Sequence, residues 1–577
     1  MSKLNVDQKT IIDLLSDKKA DFLIPDYQRP YAWNEEQCQT LWDDIFLFSF
    51  PDNNYEAFDD NEEYFLGSIV TYKNEAGKSE VIDGQQRLTT LMLILRAFYD
   101  KFENMRDKNS ILTRDRIEKC IWKTDTFGTA DKNTLKIDSE VATDNDKEEF
   151  LELLRTGIVK QGSKSQYVLN YQFFQNKIDE FLQEFPSFFP YLPARILGNC
   201  ILLPIEAESQ DTALRIFSTL NDRGLPLSDA DIFKAQFYKY YGSSGNKDEF
   251  IAEWKRLEEI TSSVFNPISG TPMDELFARY MYFLRAKEGN KRSTTEALRK
   301  FYERNKYQYL KHPNTIEELK SLALFWESVA NQDKTRFSED VLKKLFVLNY
   351  APNGMWQHIT SVYFLQHKNN DGILSDAEFC KFLDRITAFI FAYAITNPGV
   401  NALRTPVYDE MVNLVNGGEV KFSKYKFNNT QARTSFENYV FTNQRNATRS
   451  MITWYAYTFS EQKLLGLNEV FHLEHIYPKK RQEMEGGLKA EDNIDSLGNK
   501  ILLESLINIK ASDYRFGDKK KIYSGEQRRG NYKEPSKVAE IANLIARNEF
   551  GEQQVIERNQ IILDKFFDFL HNEELIA

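Results

Sequence analysis

The stretch Val81-Ile82-Asp83-Gly84-Gln85-Gln86-Arg87-Leu88-Thr89-Thr90-Leu91 decides the fold of the first part of this 577-residue chain. Val81-Ile82 predicts a strand, and Asp83-Gly84 interrupts it with a turn. Gln85-Gln86-Arg87 then opens a helix, and residues 64–70 predict a buried strand that precedes the whole unit. The helix has an apolar face at helical spacing, formed by Leu88, Leu91, Met92, Leu95, Phe98 and Tyr99.

The turn between this strand and helix is a candidate anion site. The amino terminus of a helix offers free N–H groups and a favourable dipole to a negative charge. Arg87 adds a guanidinium, which suits a phosphate. The alternative interpretation is that Asp83-Gly84 is only a turn and that Arg87 lies on the surface.

Two other segments of the first block carry polar and aromatic residues. Ile24-Pro25-Asp26-Tyr27-Gln28-Arg29-Pro30-Tyr31-Ala32-Trp33 is predicted to be extended by its prolines. Aromatic rings beside an arginine suit stacking on a base or binding a phosphate. Equally, Tyr31 and Trp33 could anchor the chain against Trp42 and Ile45.

The second segment is Leu220-Asn221-Asp222-Arg223-Gly224-Leu225-Pro226-Leu227-Ser228. Ser228 and Asp231 have the spacing of a capping box and predict a helix that follows. Asn221 and Arg223 could converge on the Asp83 turn. The segment could also simply connect two helices.

Near the carboxyl end, Phe471-His472-Leu473-Glu474-His475-Ile476-Tyr477-Pro478 places an acid beside a histidine, and Asn499 and Asn508 follow. A carboxylate and an amide oxygen can hold a hard divalent cation such as Mg²⁺ or Mn²⁺. The histidine can then take a proton from a water molecule and direct that water at a phosphodiester. This pattern predicts a one-metal nuclease.

Composition limits the possible classes of protein. With 42% hydrophobic and 28% charged residues, the chain has the balance of an ordinary globular protein. The sequence has no run of about 18 apolar residues, which a membrane-spanning helix would need, and the first residues lack the apolar core of a signal peptide. The cysteines are scattered without a Cys-x-x-Cys pair, which favours a cytoplasmic location. They are Cys38, Cys120, Cys200 and Cys380.

The net charge of −12 is unusual for a protein that binds nucleic acid. Local charge matters more, because phosphate contacts are local. Residues 476–537 carry 14 Lys and Arg against 10 Asp and Glu, a net of +4 in this range. Lys519-Lys520-Lys521 and Arg528-Arg529 are clusters within it, although each could be only a solvated helical face.

Composition and turn residues divide the chain into three predicted domains. Residues 1–245 mix strands and helices, and residues 246–425 are predicted to be almost wholly helical. Residues 426–577 carry the histidine segment. The predicted fold class is therefore α+β and predominantly helical.

Three motifs occur in order: Ile-Pro-x-Tyr-Gln-Arg-x-Tyr-x-Trp from Ile24, Val-Ile-Asp-Gly-Gln-Gln-Arg-Leu-Thr-Thr-Leu from Val81, and Leu-Asn-x-Arg-Gly-x-Pro-Leu-Ser from Leu220. Together they resemble the N-terminal domain of the GmrSD family of type IV, modification-dependent restriction enzymes. The resemblance implies a ParB/sulfiredoxin-like fold that binds or hydrolyses a nucleoside triphosphate, with GTP, ATP and CTP all possible.

The resemblance also implies roles for individual residues. The implied nucleotide-binding residues are Asp83, Gly84, Gln85, Gln86, Arg87, Asn221 and Arg223. The implied sensors of the DNA or its modification are Tyr27, Gln28, Arg29 and Trp33.

The carboxyl-terminal segment is similar to the nuclease domain of the same family, which has the ββα-metal (HNH, or His-Me finger) fold. Matched in this way, Glu474 is the first metal ligand, His475 the general base and Asn508 the second ligand. Asn499 takes the position that orders the connecting loop, or it is a further ligand. Lys500 departs from the family, whose residue there is more often apolar. A regular strand would turn Glu474 and His475 to opposite faces, so the strand must end or bulge there.

These expectations combine into a defence nuclease that binds a nucleoside triphosphate, inspects DNA and cuts it with Mg²⁺. The expected target is phage DNA with modified bases or a particular phosphorothioate status. A double-strand break would need two active sites, which suggests a homodimer. The rivals are a nucleotide-gated, ParB-like DNA-binding module with a vestigial nuclease domain, and a nuclease that acts on RNA or host nucleic acid.

Overall fold

In its described residues the computed structural model consists of helices, one seven-stranded mixed sheet and two two-stranded sheets; it is α+β and predominantly helical, as the sequence predicts. One small sheet pairs Trp122–Thr124 with Ala130–Leu135, and the other pairs Phe471–His475 with Lys500–Glu504. The structure describes residues 5–6, 8–51, 58–141, 144–186, 188–210, 212–213, 216, 228–242, 247–399, 402–489, 491–526 and 534–577. The chain divides into two compact units, Met1–Lys255 and Arg256–Ala577. In the part of the chain that the structure describes, no helix is both long and apolar enough to cross a membrane.

The first unit contains all the strands of the large sheet. Its strands are β1 (Asn5–Val6), β2 (Lys9–Thr10), β3 (Phe22–Ile24), β4 (Tyr64–Lys73), β5 (Ser79–Asp83), β6 (Trp122–Thr124), β7 (Ala130–Leu135), β8 (Ile137–Ser139) and β9 (Cys200–Ala207). Its helices are α1 (Ile11–Leu15), α2 (Glu35–Ser49), α3 (Gln85–Phe102), α4 (Lys108–Ile121), α5 (Lys147–Thr156), α6 (Gln166–Glu184), α7 (Tyr191–Asn199) and α8 (Asp229–Gly242).

The sheet has the strand order β1-β9-β4-β5-β3-β8, and β2 also pairs with β9. β4 is antiparallel to β5 and parallel to β9, so distant parts of the chain meet at the centre. The predicted strand-turn-helix is confirmed, because β5 ends at Asp83 and α3 begins at Gln85. This order places the amino terminus of α3 at the end of a central strand.

Helix α3 carries the core of the first unit. All six residues of its predicted apolar face are buried in one hydrophobic cluster with residues of α2, α4 and α6. A smaller cluster covers the opposite side of the sheet and contains Tyr27, Val70 and Ile82. Ile69 and Val81 join the large cluster, whereas their neighbours Val70 and Ile82 join the smaller one, so the sheet is covered on both sides at these residues.

The second unit is mostly helical. Its helices begin with α9 (Lys247–Val264), within which the division between the units falls, and continue with α10 (Pro272–Lys287), α11 (Leu298–Glu303), α12 (Thr315–Ala330), α13 (Glu339–Asn349), α14 (Met355–His367), α15 (Asp376–Thr396), α16 (Arg404–Val415), α17 (Asn429–Glu437), α18 (Asn446–Ala456), α19 (Lys479–Glu485), α20 (Ser505–Ala511), α21 (Phe516–Tyr523), α22 (Glu540–Ile545) and α23 (Glu552–Asn572). Its hairpin is β10 (Phe471–His475) and β11 (Lys500–Glu504).

Residues 250–257, which have helical apolar spacing, lie within α9, and the turn residues at 369–372 and 397–399 lie between α14, α15 and α16. The first predicted domain boundary, after residue 245, lies ten residues before the division between the units. The second, after residue 425, lies inside the second unit. The three-domain division stays a prediction.

Candidate functional site

The turn between β5 and α3 depends on Gly84. This residue immediately precedes α3 and has φ of 88°, which lies in the left-handed region. A Cβ there would lie 2.9 Å from the carbonyl oxygen of Ser68. Glycine adopts this conformation without a steric penalty. The predicted turn is therefore present, and it leaves the first N–H groups of α3 without a side-chain cap.

Three glutamine side chains join this turn to the segment that begins at Ile24. That segment is not extended throughout, as its prolines predict, because it turns at Asp26-Tyr27, where Gln28 N donates to the backbone oxygen of Pro25 at 3.1 Å. Gln86 Oε1 accepts hydrogen bonds from the backbone N–H groups of Ala32 (2.7 Å) and Trp33 (3.3 Å). Gln85 Nε2 donates to the backbone oxygen of Arg29, and Gln28 Nε2 donates to that of Ile82 (3.1 Å). The two predicted ligand-binding segments thus lie together, and the glutamine amides connect them.

Charged groups gather at the same turn. Arg87 Nη1 donates to the carbonyl oxygen of Ser68 at 2.7 Å. Burial raises the pKa of Asp83, while Arg87 and Arg29 oppose the shift. Burial also lowers the pKa of Arg87, and Asp83 opposes that shift. One carboxylate and two guanidinium groups therefore interact electrostatically where the anion site was predicted.

Gly67 is a residue of this turn that sequence reasoning missed. It has φ of 128° and lies at an irregularity in the pairing of β4 with β9. A Cβ on Gly67 would lie 2.7 Å from Arg87 Cζ. The glycine therefore makes room for the guanidinium against the strand. A glycine inside a predicted strand was the available signal, since it often marks a bulge or a close approach.

The aromatic residues of the segment that begins at Ile24 are buried or half-buried. Tyr31 is buried, stacks on Tyr167 with ring centroids 4.9 Å apart and hydrogen-bonds Thr90. It joins the core cluster, as the anchoring interpretation expected, and Trp33 packs partly buried against that cluster. Tyr27 is buried too. A role for Tyr27, Gln28, Arg29 and Trp33 in sensing DNA stays a prediction.

The third motif of the first unit is only partly described. Asn221 and Arg223 lie outside the described residues. The predicted capping box that follows is confirmed, because Asp231 N donates to Ser228 Oγ at 3.1 Å and Ser228 N donates to Asp231 Oδ2 at 2.9 Å. It begins helix α8.

In the second unit, the histidine segment forms a hairpin with the residues after Asn499. β10 is antiparallel to β11, with Glu474 opposite Ile501 and His475 opposite Lys500. β10 ends at His475, and α20 follows β11 directly. The short helix α19 lies between the two strands, so the order along the chain is strand, helix, strand, helix. Asn508 lies in the middle of α20, although the sequence placed it near the helix start.

Glu474 is buried and paired with a lysine of α21. Lys519 Nζ donates to Glu474 Oε1, and Tyr523 donates from its hydroxyl to the same oxygen at 3.0 Å. Lys519 Nζ also donates to the backbone oxygen of His475 at 2.7 Å. Burial raises the pKa of Glu474, and Lys519 opposes this shift. Two side chains of α21 therefore fix the Glu474 carboxylate.

His475 has different neighbours. Its Nε2 lies 2.8 Å from Lys500 Nζ and 3.4 Å from Asp495 Oδ1. Burial and the charge of Lys500 lower the pKa of His475 to about 4, while Asp495 opposes the shift. The ring is therefore neutral at pH 7, which is the form that can accept a proton.

Asn499 is buried and bonded to the backbone on both sides of the hairpin loop. Its Oδ1 accepts from Tyr477 N at 2.7 Å, and its Nδ2 donates to the backbone oxygens of Tyr477 (3.0 Å) and Ile494 (3.1 Å). These bonds use both N–H groups of the amide. The geometry favours the loop-ordering role over the ligand role. A part in catalysis stays a prediction for Asn499.

The side chain of Asn508 has an acceptor without a donor. Its Oδ1 is buried and has no hydrogen-bond partner. Buried oxygens without a hydrogen-bond donor are rare and energetically unfavourable, and a bound cation would satisfy this one. In the described part of the chain no three His, Cys, Asp or Glu side chains gather around a possible metal position. A cation here would thus rely on Glu474, Asn508 and water, which suits Mg²⁺ because it usually keeps several waters.

The structure brings Glu474 and His475 together along one strand but gives their side chains separate partners. Within the described residues no hydrogen bond or ion pair joins the side chains of Glu474, His475 and Asn508 to one another. This agrees with strand geometry, which turns neighbouring side chains to opposite faces. Sequence reasoning missed the side chains that hold the site, which are Asp495, Lys519, Tyr523 and Asn443, whose Oδ1 accepts from Lys500 Nζ.

Comparison with known families covers both units. A model of the GmrSD restriction endonuclease N-terminal domain matches residues 11–238, and a model of the GmrSD restriction endonuclease C-terminal domain matches residues 423–565. A comparison with curated proteins finds no match. The family matches span well over half of the chain and fall where the motifs predicted them. The chain therefore belongs to the GmrSD restriction endonuclease family and is a nuclease whose partner is DNA.

Proposed function

We propose that β10, β11 and α20 form a ββα-metal (HNH) nuclease site that hydrolyses DNA phosphodiesters with Mg²⁺ or Mn²⁺. The observation that carries the proposal is the antiparallel pair β10 and β11 followed directly by α20, with Glu474-His475 at the end of β10 and an unpartnered amide oxygen, Asn508 Oδ1, on α20. An acid, a base and a second oxygen ligand are the groups that one-metal hydrolysis needs.

Each residue has a defined task in this proposal. Glu474 and Asn508 hold the cation through oxygen, and the Lys519 ammonium favours the ionised form of Glu474. When bound, the cation stabilises the negative charge on the departing 3′ oxygen. His475 takes the proton of the attacking water with whichever ring nitrogen has a lone pair. Asn499 holds the loop that connects the two strands.

Specific contacts also favour a second candidate function, a nucleotide-gated DNA-binding module with a vestigial nuclease domain. Lys519 bonds the carboxylate oxygen Oε1 of Glu474, and Lys500 contacts the ring nitrogen of His475. Both contacts occupy groups that the nuclease would use. Nicking of a plasmid distinguishes the two, because a binding module would shift the DNA without breaking it.

In the first unit we propose a ParB-like domain that binds a nucleoside triphosphate (GTP, ATP or CTP) at the β5–α3 turn. The support is the uncapped amino terminus of α3 beside Arg87 and Arg29. N–H groups and guanidinium groups are the usual partners of phosphate. Nucleotide binding there would regulate cleavage according to the modification of the DNA.

The metal requirement and the target are tested together. We expect cleavage of modified phage DNA in the presence of Mg²⁺ and its complete loss when a chelator is added. The measurement compares matched modified and unmodified phage genomes, with and without each triphosphate, on an agarose gel. Cleavage that persists in the chelator would contradict the metal-dependent mechanism. Equal cleavage of both genomes would contradict modification dependence.

Replacing Arg87 with alanine is expected to weaken triphosphate binding by about tenfold to a hundredfold, since a charge-assisted hydrogen bond contributes about 1.5–3 kcal/mol. Isothermal titration calorimetry with GTP, ATP and CTP measures this. Arg87→Lys is the matched control, because it keeps the charge and loses the planar fork. If Arg87→Ala folds and binds a triphosphate like the parent protein, the site is not at this turn.

A further inference from the structure

Lys500 is a fully buried lysine that faces the proposed base. It is the first residue of β11 and lies opposite His475 in the hairpin, and its side chain has no exposed surface. Its Nζ lies 2.7 Å from Asn443 Oδ1, 2.8 Å from His475 Nε2 and 2.9 Å from Asp495 Oδ1. A buried ammonium is unfavourable unless such partners satisfy it.

These three contacts determine the direction of each hydrogen bond. An ammonium group has three N–H donors and no lone pair. Because Asn443 Oδ1, Asp495 Oδ1 and His475 Nε2 lie within reach, each receives one of the three donors. His475 Nε2 is then an acceptor, and the single hydrogen of the neutral ring is on Nδ1.

This arrangement leaves the base without a free lone pair. A neutral imidazole has one nitrogen with hydrogen and one with a lone pair. In His475 the first is Nδ1, and Lys500 occupies the second. Neither nitrogen can take a proton from water until the contact with Lys500 is broken or the ring hydrogen moves.

Asp495 provides the alternative partner for Nε2. Its Oδ1 lies 3.4 Å from that nitrogen and can accept a hydrogen bond from it. In this second tautomer solvent takes the proton from Nδ1 and supplies another proton to Nε2, so the charges of the ring and of solvent do not change. The lone pair then lies on Nδ1, and Asp495 orients the ring.

Asn443 keeps Lys500 in place. Its Oδ1 accepts from Lys500, and its Nδ2 donates to the backbone oxygen of Leu473 at 2.9 Å. The segment before α18 is thereby fixed to β10 on one side and to Lys500 on the other. The lysine cannot leave His475 without exchanging partners within this network.

We propose that Lys500 is a positioning residue that keeps the ring hydrogen of His475 on Nδ1 and caps the Nε2 lone pair by donating a hydrogen bond to it. Cleavage then requires that Nε2 exchange its hydrogen-bond partner, from Lys500 to Asp495. The proposal rests on His475 acting as the general base. The two proposals can fail independently, because the tautomer of His475 can be measured without any cleavage.

The first test is nuclear magnetic resonance of the full-length protein labelled with ¹⁵N-histidine. Protonated and unprotonated ring nitrogens have well-separated ¹⁵N shifts, and the missing signals of His475→Gln assign the residue. We expect hydrogen on Nδ1 in the parent and on Nε2 in Lys500→Met. Lys343→Met, a partly exposed lysine of α13, is the matched control and should keep the parent tautomer. An unchanged tautomer in folded Lys500→Met would overturn the proposal.

The second test is the nicking rate with Mg²⁺. A capped resting state lowers the competent fraction of the enzyme, so removing the cap raises the apparent rate. We expect kcat for Lys500→Met to rise on the order of fivefold, the change that one net hydrogen bond produces, with KM unchanged. Adding Asp495→Asn to Lys500→Met should remove the rise. If kcat falls in Lys500→Met although the tautomer of His475 changes as expected, the proposal that Lys500 restrains the base is wrong. The assignment of His475 as the general base is tested separately by His475→Ala.

Discussion

Replacing His475 with alanine is expected to lower the rate of DNA cleavage by about 10²–10⁴-fold, the usual contribution of a general base. The histidine ends β10 beside Glu474, and its pKa near 4 keeps it neutral at pH 7. Alanine removes the only group at this position that can accept the proton of the attacking water. The variant should still bind Mg²⁺, because the proposed oxygen ligands remain.

Plasmid nicking under single-turnover conditions measures this effect. His472→Ala is the matched control, since His472 lies on the same strand, opposite Leu503, and takes no part in the proposed site. It should cut like the parent. Equal nicking by His475→Ala and the parent would remove His475 from the mechanism. Loss of nicking in both variants would point to damage to the hairpin.

Replacing Gly498 with alanine is expected to destabilise the second unit by about 3 kcal/mol and to abolish cleavage. A Cβ on this residue would overlap the backbone oxygen of Val555 and would lie 2.8 Å from the backbone nitrogen of Asn559. Both atoms belong to the backbone of helix α23, so no side-chain rotation relieves the clash. The loop must move, and Asn499 and the hairpin move with it.

Chemical denaturation followed by circular dichroism measures the change in the free energy of unfolding. Gly517→Ala is the matched control, because a Cβ at that helical position in α21 meets nothing within 4 Å. Alanine there should leave stability unchanged or raise it by up to about 1 kcal/mol. If Gly498→Ala unfolds at the same denaturant concentration as the parent, the close packing of the loop against α23 is not rigid.

The elements were predictable from sequence where the apolar pattern is local. The spacing of apolar residues predicts α3, and Asp83-Gly84 predicts its start. The partners of the strands were not predictable, because β4 pairs with β9 from more than a hundred residues away and no local pattern records that. Helix α20 begins at Ser505, three residues before Asn508, since β11 ends at Glu504 and leaves no connecting loop.

The proposed nuclease residues were predictable as a list, but their surroundings were not. The cluster Lys519-Lys520-Lys521 could have been a DNA-binding surface or a solvated face. For Lys519 neither interpretation is correct, because its side chain is buried against Glu474, and Lys520 donates to the backbone oxygen of Arg547. A lysine paired through tertiary packing has the same local sequence as an exposed one. Only the fold distinguishes them.

The parallel pairing of β4 with β9 has a consequence for synthesis of the protein. A ribosome makes residues 64–73 long before residues 200–207, so one long side of β4 stays without its neighbour for the intervening stretch of translation. An unpaired strand invites association with other chains, and contacts of high sequence separation form slowly. We expect nascent chains stopped before residue 200 to bind chaperones and to aggregate when released, whereas chains that extend past α8 should yield a protease-resistant amino-terminal fragment.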